Sequence, residues 1–284
     1  MKRIVSIQDI SCLGKCSLTV ALPIISAAGV EAAIVPTAVL STHTAFKEGF
    51  TFHDLTCEIE PISNHWQKEK FDFDAIYTGY LGSFEQIDLV KKFFDDFKTE
   101  KTYIVVDPAM ADNGCLYKGF TEDFAKEMAT VVAKADVCVP NLTEACFMLG
   151  EAYKGEGYSR EYIENILRKL AALGPRYAVL TGMSFEEGKL GVMSYDKEKD
   201  EFFEYYNEKL PVSFHGTGDV FASSFTGALM NDLSVEESLK VAVEYTLEAM
   251  RKTLAEENYN WYGVNFEQAI PKYLELLGKN KKRG

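Results

Sequence analysis

Short runs of branched apolar residues alternate along this chain with longer stretches in which apolar positions recur every three or four residues. The runs Ile4-Val5-Ser6-Ile7, Ala32-Ala33-Ile34-Val35, Ala75-Ile76-Tyr77, Tyr103-Ile104-Val105-Val106, Val137-Cys138-Val139 and Tyr177-Ala178-Val179-Leu180 predict strands. Their near-continuous apolar character fits a parallel sheet covered on both faces. Between them, Ser83 with Gln86 forms a capping-box pattern ahead of Ile87, Val90, Phe93, Phe94 and Phe97, whose spacing shares one helical face. Ser159 precedes Ile163, Ile166, Leu167 and Leu170, and Ser234 with Glu237 opens a helix through Leu239, Ala242, Val243 and Leu247. The repeating order predicts an α/β fold, a three-layer α/β/α sandwich with a mostly parallel central sheet. After Leu180 the rhythm changes, because 189–195 and 201–206 flank a polar turn and predict an antiparallel edge hairpin. Three helices and a solvated basic tail at 279–284 complete the chain, and with no repeat or linker, residues 1–284 read as one domain.

Charge narrows the partners. Thirty basic against 43 acidic side chains give a net charge of −13, which repels polyanions and argues against nucleic acid. A phosphate-bearing ligand then needs local positive potential from backbone N–H groups, a helix N-terminus or a bound metal. The first apolar run is broken too early for a signal peptide, and Ala21 to Val35 is interrupted by Pro23, Ser26, Gly29 and Glu31. No membrane association is expected, and a cytoplasmic location follows as the expectation. Cys12 and Cys16 lack further Cys or His at ligand spacing, and the six cysteines read as buried structural thiols.

The most informative segment is His215-Gly216-Thr217-Gly218-Asp219, a glycine-rich turn feeding a helix with small residues in its first turns. Two glycines around Thr217 permit successive N–H groups to point into one concavity, to which the helix adds its positive end. Asp219 beside such an anion hole could act as a base for an incoming alcohol. The same residues also suit a plain glycine turn with Asp219 stabilising the helix start. Asn141-Leu142-Thr143-Glu144 reads both as a capped helix opening and as hard oxygen ligands holding Mg²⁺ through waters. Asp107 ends the strand Tyr103–Val106, where such folds bind ligands, though Asp107-Pro108 also suits a turn. The following loop, with Asp112 and Tyr117, could cover nucleotide phosphates. Thr181-Gly182 offers a hydroxyl and bare backbone at a strand end, or simply a turn.

Taken together, Asn141-Leu142-Thr143-Glu144, Leu180-Thr181-Gly182 and Gly216-Thr217-Gly218-Asp219 resemble the ribokinase-like superfamily. Ser6-Ile7-Gln8, Ser41-Thr42-His43-Thr44, Tyr77-Thr78-Gly79-Tyr80-Leu81-Gly82-Ser83 and Val106-Asp107-Pro108 narrow the resemblance to the pyridoxal kinase family, over about residues 3 to 255. The resemblance implies ATP-dependent phosphorylation of the 5′-hydroxymethyl group of a pyridoxal-type vitamer. It further implies Mg²⁺, help from a monovalent cation such as K⁺ or Na⁺, and a homodimer. By the same resemblance Asp219 is the base and Gly216, Thr217 and Gly218 form the anion hole. Asn141 and Glu144 serve metal and phosphates, Thr181 and Gly182 contact phosphate, and Asp107 belongs to the metal site. Asp112 and Tyr117 belong to the loop over ATP, and Thr44 and Tyr80 line the vitamer pocket. Two positions depart from the pattern. Val139 stands where some relatives carry threonine, and Asp9 stands where relatives commonly carry serine, placing a carboxylate where it would meet a protonated ring nitrogen or amine. Competing readings are a hydroxymethylpyrimidine or sugar kinase of the same fold, and a ligand-binding protein that consumes no ATP. A nicotinamide dehydrogenase is disfavoured, since Asp9-Ile10-Ser11-Cys12-Leu13-Gly14 is not a Gly-x-Gly-x-x-Gly turn.

Overall fold

A computed structural model describes residues 1–46 and 49–279. The basic tail from residue 280 onward therefore lies outside the described residues. In chain order the elements are β1 (Arg3–Ser11), α1 (Leu18–Ala27), β2 (Glu31–Leu40), β3 (Phe52–Asp54), α2 (Thr56–Lys68), β4 (Ala75–Thr78), α3 (Phe84–Phe97), β5 (Tyr103–Val106), β6 (Ala111–Asp112) and β7 (Cys115–Leu116). They continue with α4 (Glu122–Val132), β8 (Val137–Cys138), α5 (Leu142–Leu149), α6 (Arg160–Leu173), β9 (Tyr177–Met183), β10 (Lys189–Asp196), β11 (Glu201–Glu208), α7 (Thr217–Leu229), α8 (Val235–Leu254) and α9 (Phe266–Leu276).

The chain forms two compact units. The first joins Met1–Leu55 to the segment from Leu210 onward. In it β1 pairs in parallel with β2, β3 pairs antiparallel on β2, and α1, α7, α8 and α9 pack together. The predicted strand at Ala32–Val35 runs on to Leu40 through Pro36. A proline cannot donate to the ladder, and the β1–β2 register shifts between Gln8 and Ile10, just where Pro36 would otherwise interrupt regular pairing.

The second unit, Thr56–Lys209, carries strands in the order β11-β10-β9-β8-β5-β4. β4, β5, β8 and β9 are parallel, and β10 and β11 form the expected antiparallel edge hairpin. Ile76, Ile104, Val105, Val106, Val137, Val179 and Leu180 are buried, as their uninterrupted apolar runs require. The mostly parallel α/β architecture matches the sequence pattern.

The helix starts follow the predicted chemistry with one variation. Ser159 and Ser234 accept the N–H groups of Tyr162 and Glu237, and Glu237 returns a bond to the Ser234 N–H. Ser83 accepts from Gln86 N–H, but the Gln86 side chain turns to Gly82 N–H and to Thr56 instead of closing the box. The cysteines differ from expectation. Only Cys138 and Cys146 are buried, Cys16 is partly covered, and Cys12, Cys57 and Cys115 are exposed, all as free thiols.

Because the Ser234–Glu237 box holds the start of the twenty-residue α8, Ser234→Ala should destabilise the protein by about 1 kcal/mol. Urea denaturation would read this as a lower midpoint with an unchanged slope.

Candidate functional site

In the first unit the predicted residues gather where the 214–219 turn meets the 11–17 loop. Gly216 begins α7 in the left-handed region, with φ of 76°, and no side chain caps that helix start. A Cβ on Gly216 would lie 2.1 Å from the Lys15 carbonyl oxygen, so glycine is required by conformation and by space. The first-turn N–H groups, those of Thr217, Gly218 and Asp219 among them, have no intrahelical acceptor. Thr217 turns its hydroxyl back to the Phe214 carbonyl at 3.2 Å, which leaves the main chain as the donor set. Asp219 is half-buried in this first turn, and its carboxylate hydrogen-bonds the Cys16 thiol. Burial first, then the charges of Asp219 and Asp9, push that thiol well above its ordinary value. The sequence singled out Cys16 only with Cys12, as a structural thiol; its contact with Asp219 was not readable, because no spacing rule links it to a carboxylate two hundred residues away.

Asp9, the expected substrate contact, already has hydrogen-bond partners within the protein. It is buried at the β1–β2 register shift, and its two oxygens accept the hydroxyls of Ser17 at 2.5 Å and Ser11 at 2.9 Å. Burial raises its pKa despite these bonds. The physical reason is local. Lys15 and Ser17 both adopt positive φ, and Asp9 ties that strained loop to β1. Thr44 is exposed just beyond β2, next to the buried His43.

In the second unit the predicted residues cluster beyond the carboxyl ends of parallel strands, where open α/β sheets bind ligands. Asp107 follows β5, Asn141 and Glu144 open α5 after β8, Thr181 and Gly182 lie in β9, and the half-buried Tyr80 follows β4. The capping box of α5 is complete: Asn141 Oδ1 accepts Glu144 N–H at 3.0 Å, and Glu144 Oε2 accepts Asn141 N–H at 2.9 Å. The same side chains also hold the 110–117 loop. Glu144 Oε1 accepts Met110 N–H at 3.0 Å, Asn141 Nδ2 donates to Ala111 O at 2.8 Å, and Thr143 Oγ1 accepts Gly114 N–H at 3.0 Å. Thr143 is the member of this motif to which the sequence assigned no role.

That loop is the β6–β7 hairpin, turned by Asn113 and Gly114 with φ of 50° and 77°. Asn-Gly with two positive φ values suits the twist of a two-residue hairpin. Asp112 and Tyr117 are exposed on it. Gly182 has φ of 69° and stands unpaired between Thr181 opposite Val192 and Met183 opposite Gly191, a bulge that exposes bare backbone beside the half-buried Thr181.

Asp107 and Glu144 are both buried and repel one another. Burial, then the Glu144 charge, raises Asp107 well above the usual carboxylate range, and burial pushes Glu144 up to about 7. Two buried, mutually repelling carboxylates could take a divalent cation. Among the described residues no cluster of three or more His, Cys, Asp and Glu could hold a metal. Asp107 and Glu144 could supply the one or two carboxylates that Mg²⁺ takes, with water and phosphate oxygens completing its shell.

A profile of the phosphomethylpyrimidine kinase family matches residues 22–262. A Bacteroides thetaiotaomicron protein assigned as a phosphomethylpyrimidine kinase, crystallised with pyridoxal, superposes with a TM-score of 0.91 at 39% identity, covering 96% of this chain and 95% of that one. The pyridoxine/pyridoxal/pyridoxamine kinase of Bordetella avium is 25% identical over 264 residues, which is 88% of this chain and 85% of that protein. A chloroplastic thiamine biosynthetic bifunctional enzyme of Arabidopsis thaliana is 26% identical over 233 residues, 81% of this chain and 42% of that protein. The chain therefore spans less than half of that last relative.

Without a cation, the folded chain keeps a proton on Glu144 between its ordinary value of 4.5 and about 7, where the unfolded chain has lost it. Stability should fall as pH rises through that window, with the penalty complete above it. Added Mg²⁺ should therefore raise the melting temperature more at about pH 8 than at about pH 5.5, and Asp107→Asn should abolish the difference. Thermal melts with equal Mg²⁺ shifts at both pH values would contradict the cation assignment.

Proposed function

This chain belongs to the phosphomethylpyrimidine kinase family and is a phosphotransferase, and from that premise we propose that it transfers the γ-phosphoryl group of ATP to the 5′-hydroxymethyl group of pyridoxal, pyridoxine or pyridoxamine. The observation that carries the reading is Asp219 in the first turn of a helix whose glycine start has no side-chain cap. A carboxylate there accepts the hydroxyl proton as the oxygen attacks phosphorus in line. The amides of the Gly216–Asp219 turn neutralise charge developing on the transferred group, with no reorganisation at the moment of reaction.

Asp107 and Glu144 would hold Mg²⁺, with Asn141 serving the phosphates beside them. When bound, the metal would supply charge neutralisation on the phosphate oxygens. Thr181 and the bulged Gly182 offer a hydroxyl and an open main-chain N–H to phosphate. The β6–β7 hairpin with Asp112 and Tyr117 covers the nucleotide and excludes water. Tyr80 and Thr44 take the vitamer, Tyr80 through its ring face. Residues 1–284 serve as a single kinase domain, a homodimer is the working assembly, K⁺ or Na⁺ assists, and the reaction runs in the cytoplasm. No helix among the described residues is long and apolar enough to cross a membrane.

A second acceptor, a hydroxymethylpyrimidine, is favoured by the pyrimidine kinase description of the matching family. It would use the same machinery. Side-by-side ATP consumption with pyridoxal, pyridoxine, pyridoxamine and hydroxymethylpyrimidine separates the two, and consumption with none of them would leave a binding protein. Asp219→Asn should lower kcat roughly 10²-fold or more while ATP affinity is largely kept. Near-normal turnover in that variant would remove Asp219 from the role of base.

A further inference from the structure

Five aromatic rings meet beside the Gly216–Asp219 turn. His43, Phe46, His215, Trp261 and Tyr262 all belong to the first unit, and His215 directly precedes Gly216. Trp261 stands nearly perpendicular to both histidines, with ring centroids 6.2 Å from His43 at 82° and 5.9 Å from His215 at 81°. Phe46 lies 4.7 Å from Trp261 and 5.0 Å from His43, filling the back of the corner. The indole is 51% exposed and His215 is exposed, so the corner opens outward.

The corner is built to stay in place. His43 is buried, and its Nε2 lies 2.9 Å from the Tyr262 carbonyl while its Nδ1 accepts Ala45 N–H at 3.2 Å. A carbonyl only accepts, so Nε2 carries the proton and the imidazole is neutral. Burial and the neighbouring His215 lower its pKa, in keeping with that form. The segment between α8 and α9 that bears Trp261 is held at its other end by Lys15, whose ammonium bonds Asn265 at 3.0 Å and Glu267 at 2.9 Å. Gly263 packs so closely on this anchor that a Cβ would lie 2.7 Å from Lys15 Cβ. An exposed indole would ordinarily cost conformational freedom when a ligand ordered it, but a ring already fixed on both sides loses little on binding.

From this arrangement we propose that Trp261, backed by His43 and His215, is a specificity-determining wall that stacks the flat heteroaromatic ring of the acceptor alcohol and so presents its hydroxymethyl group toward the adjoining Asp219 turn. The inference rests on the reading of the chain as a kinase of such alcohols, and deepens it by assigning ring recognition to a residue outside the family motifs. The chemistry fits a neutral, planar, electron-poor ring. It finds an indole face to stack on and imidazole edges at right angles, whereas a sugar or an aliphatic alcohol gains little from either. Nothing in the sequence pattern marked this wall, because Trp261 lies in an aperiodic segment some forty residues after Asp219.

Steady-state kinetics on the full chain test it. Trp261→Ala should raise the KM for pyridoxal about tenfold, with kcat and the KM for ATP little changed, while Trp261→Phe should restore most of the affinity because the ring face returns. The unchanged ATP constant doubles as the check that the alanine variant is folded. If Trp261→Ala leaves the pyridoxal KM unaltered, or raises both constants together, the wall is refuted while the kinase reading stands. Loss of the dimer in Trp261→Ala with an unaltered pyridoxal KM would reassign the ring to a second copy of the chain and also refute it. A wild-type chain that phosphorylates no heteroaromatic alcohol would remove the premise, and the wall with it.

Discussion

Gly216 has room for no side chain. Its left-handed backbone sets the angle at which α7 departs, and its α-carbon face is pressed against the Lys15 carbonyl. One constraint therefore fixes three things in the first unit: the direction of the first-turn amides, the position of Asp219 in that turn, and the seat of the 11–17 loop. That loop is itself held down by Asp9 through Ser11 and Ser17, at the point where Pro36 forces the β1–β2 ladder out of register. An irregularity in the sheet and a strained loop thus support an exposed backbone concavity, as strain at functional sites commonly is supported by its surroundings.

The second unit solves a different problem with different chemistry. Asp107 and Glu144 are buried together, and Glu144 is held by main-chain donors on both oxygens. Asn141, Thr143 and Glu144 act as a polar staple, so the segment that opens α5 also shapes the β6–β7 hairpin. Helix capping and ligand binding are often offered as rival readings of such a motif, yet here capping is what aims the remaining hydrogen-bonding capacity of these side chains at the neighbouring loop.

Much of this was legible beforehand. The strand runs, the edge hairpin and the serine starts of α6 and α8 follow from local pattern, because burial on both faces and first-turn amides leave period and composition signatures. Asn141 with Glu144 was readable for the same reason. The rest depended on contacts that no local rule encodes. Gln86 closes on Gly82 and Thr56 because a tertiary neighbour competes with its own helix start. Pro36 masked the second half of β2, since a proline argues against a strand unless the partner bulges. Ser11 and Ser17, whose hydroxyls donate to the oxygens of Asp9, carried no signal of that bonding.

The thiol of Cys16 lies against Asp219, within the field of Asp9, and is kept protonated by burial and by both charges. A thiol in that state is a poor nucleophile, whereas Cys12, Cys57 and Cys115 are exposed to solvent. Peroxides and electrophiles arriving from solution would consume those three sulfurs first. Reagents arriving from solution therefore meet those three sulfurs before they meet the covered, protonated thiol beside Asp219.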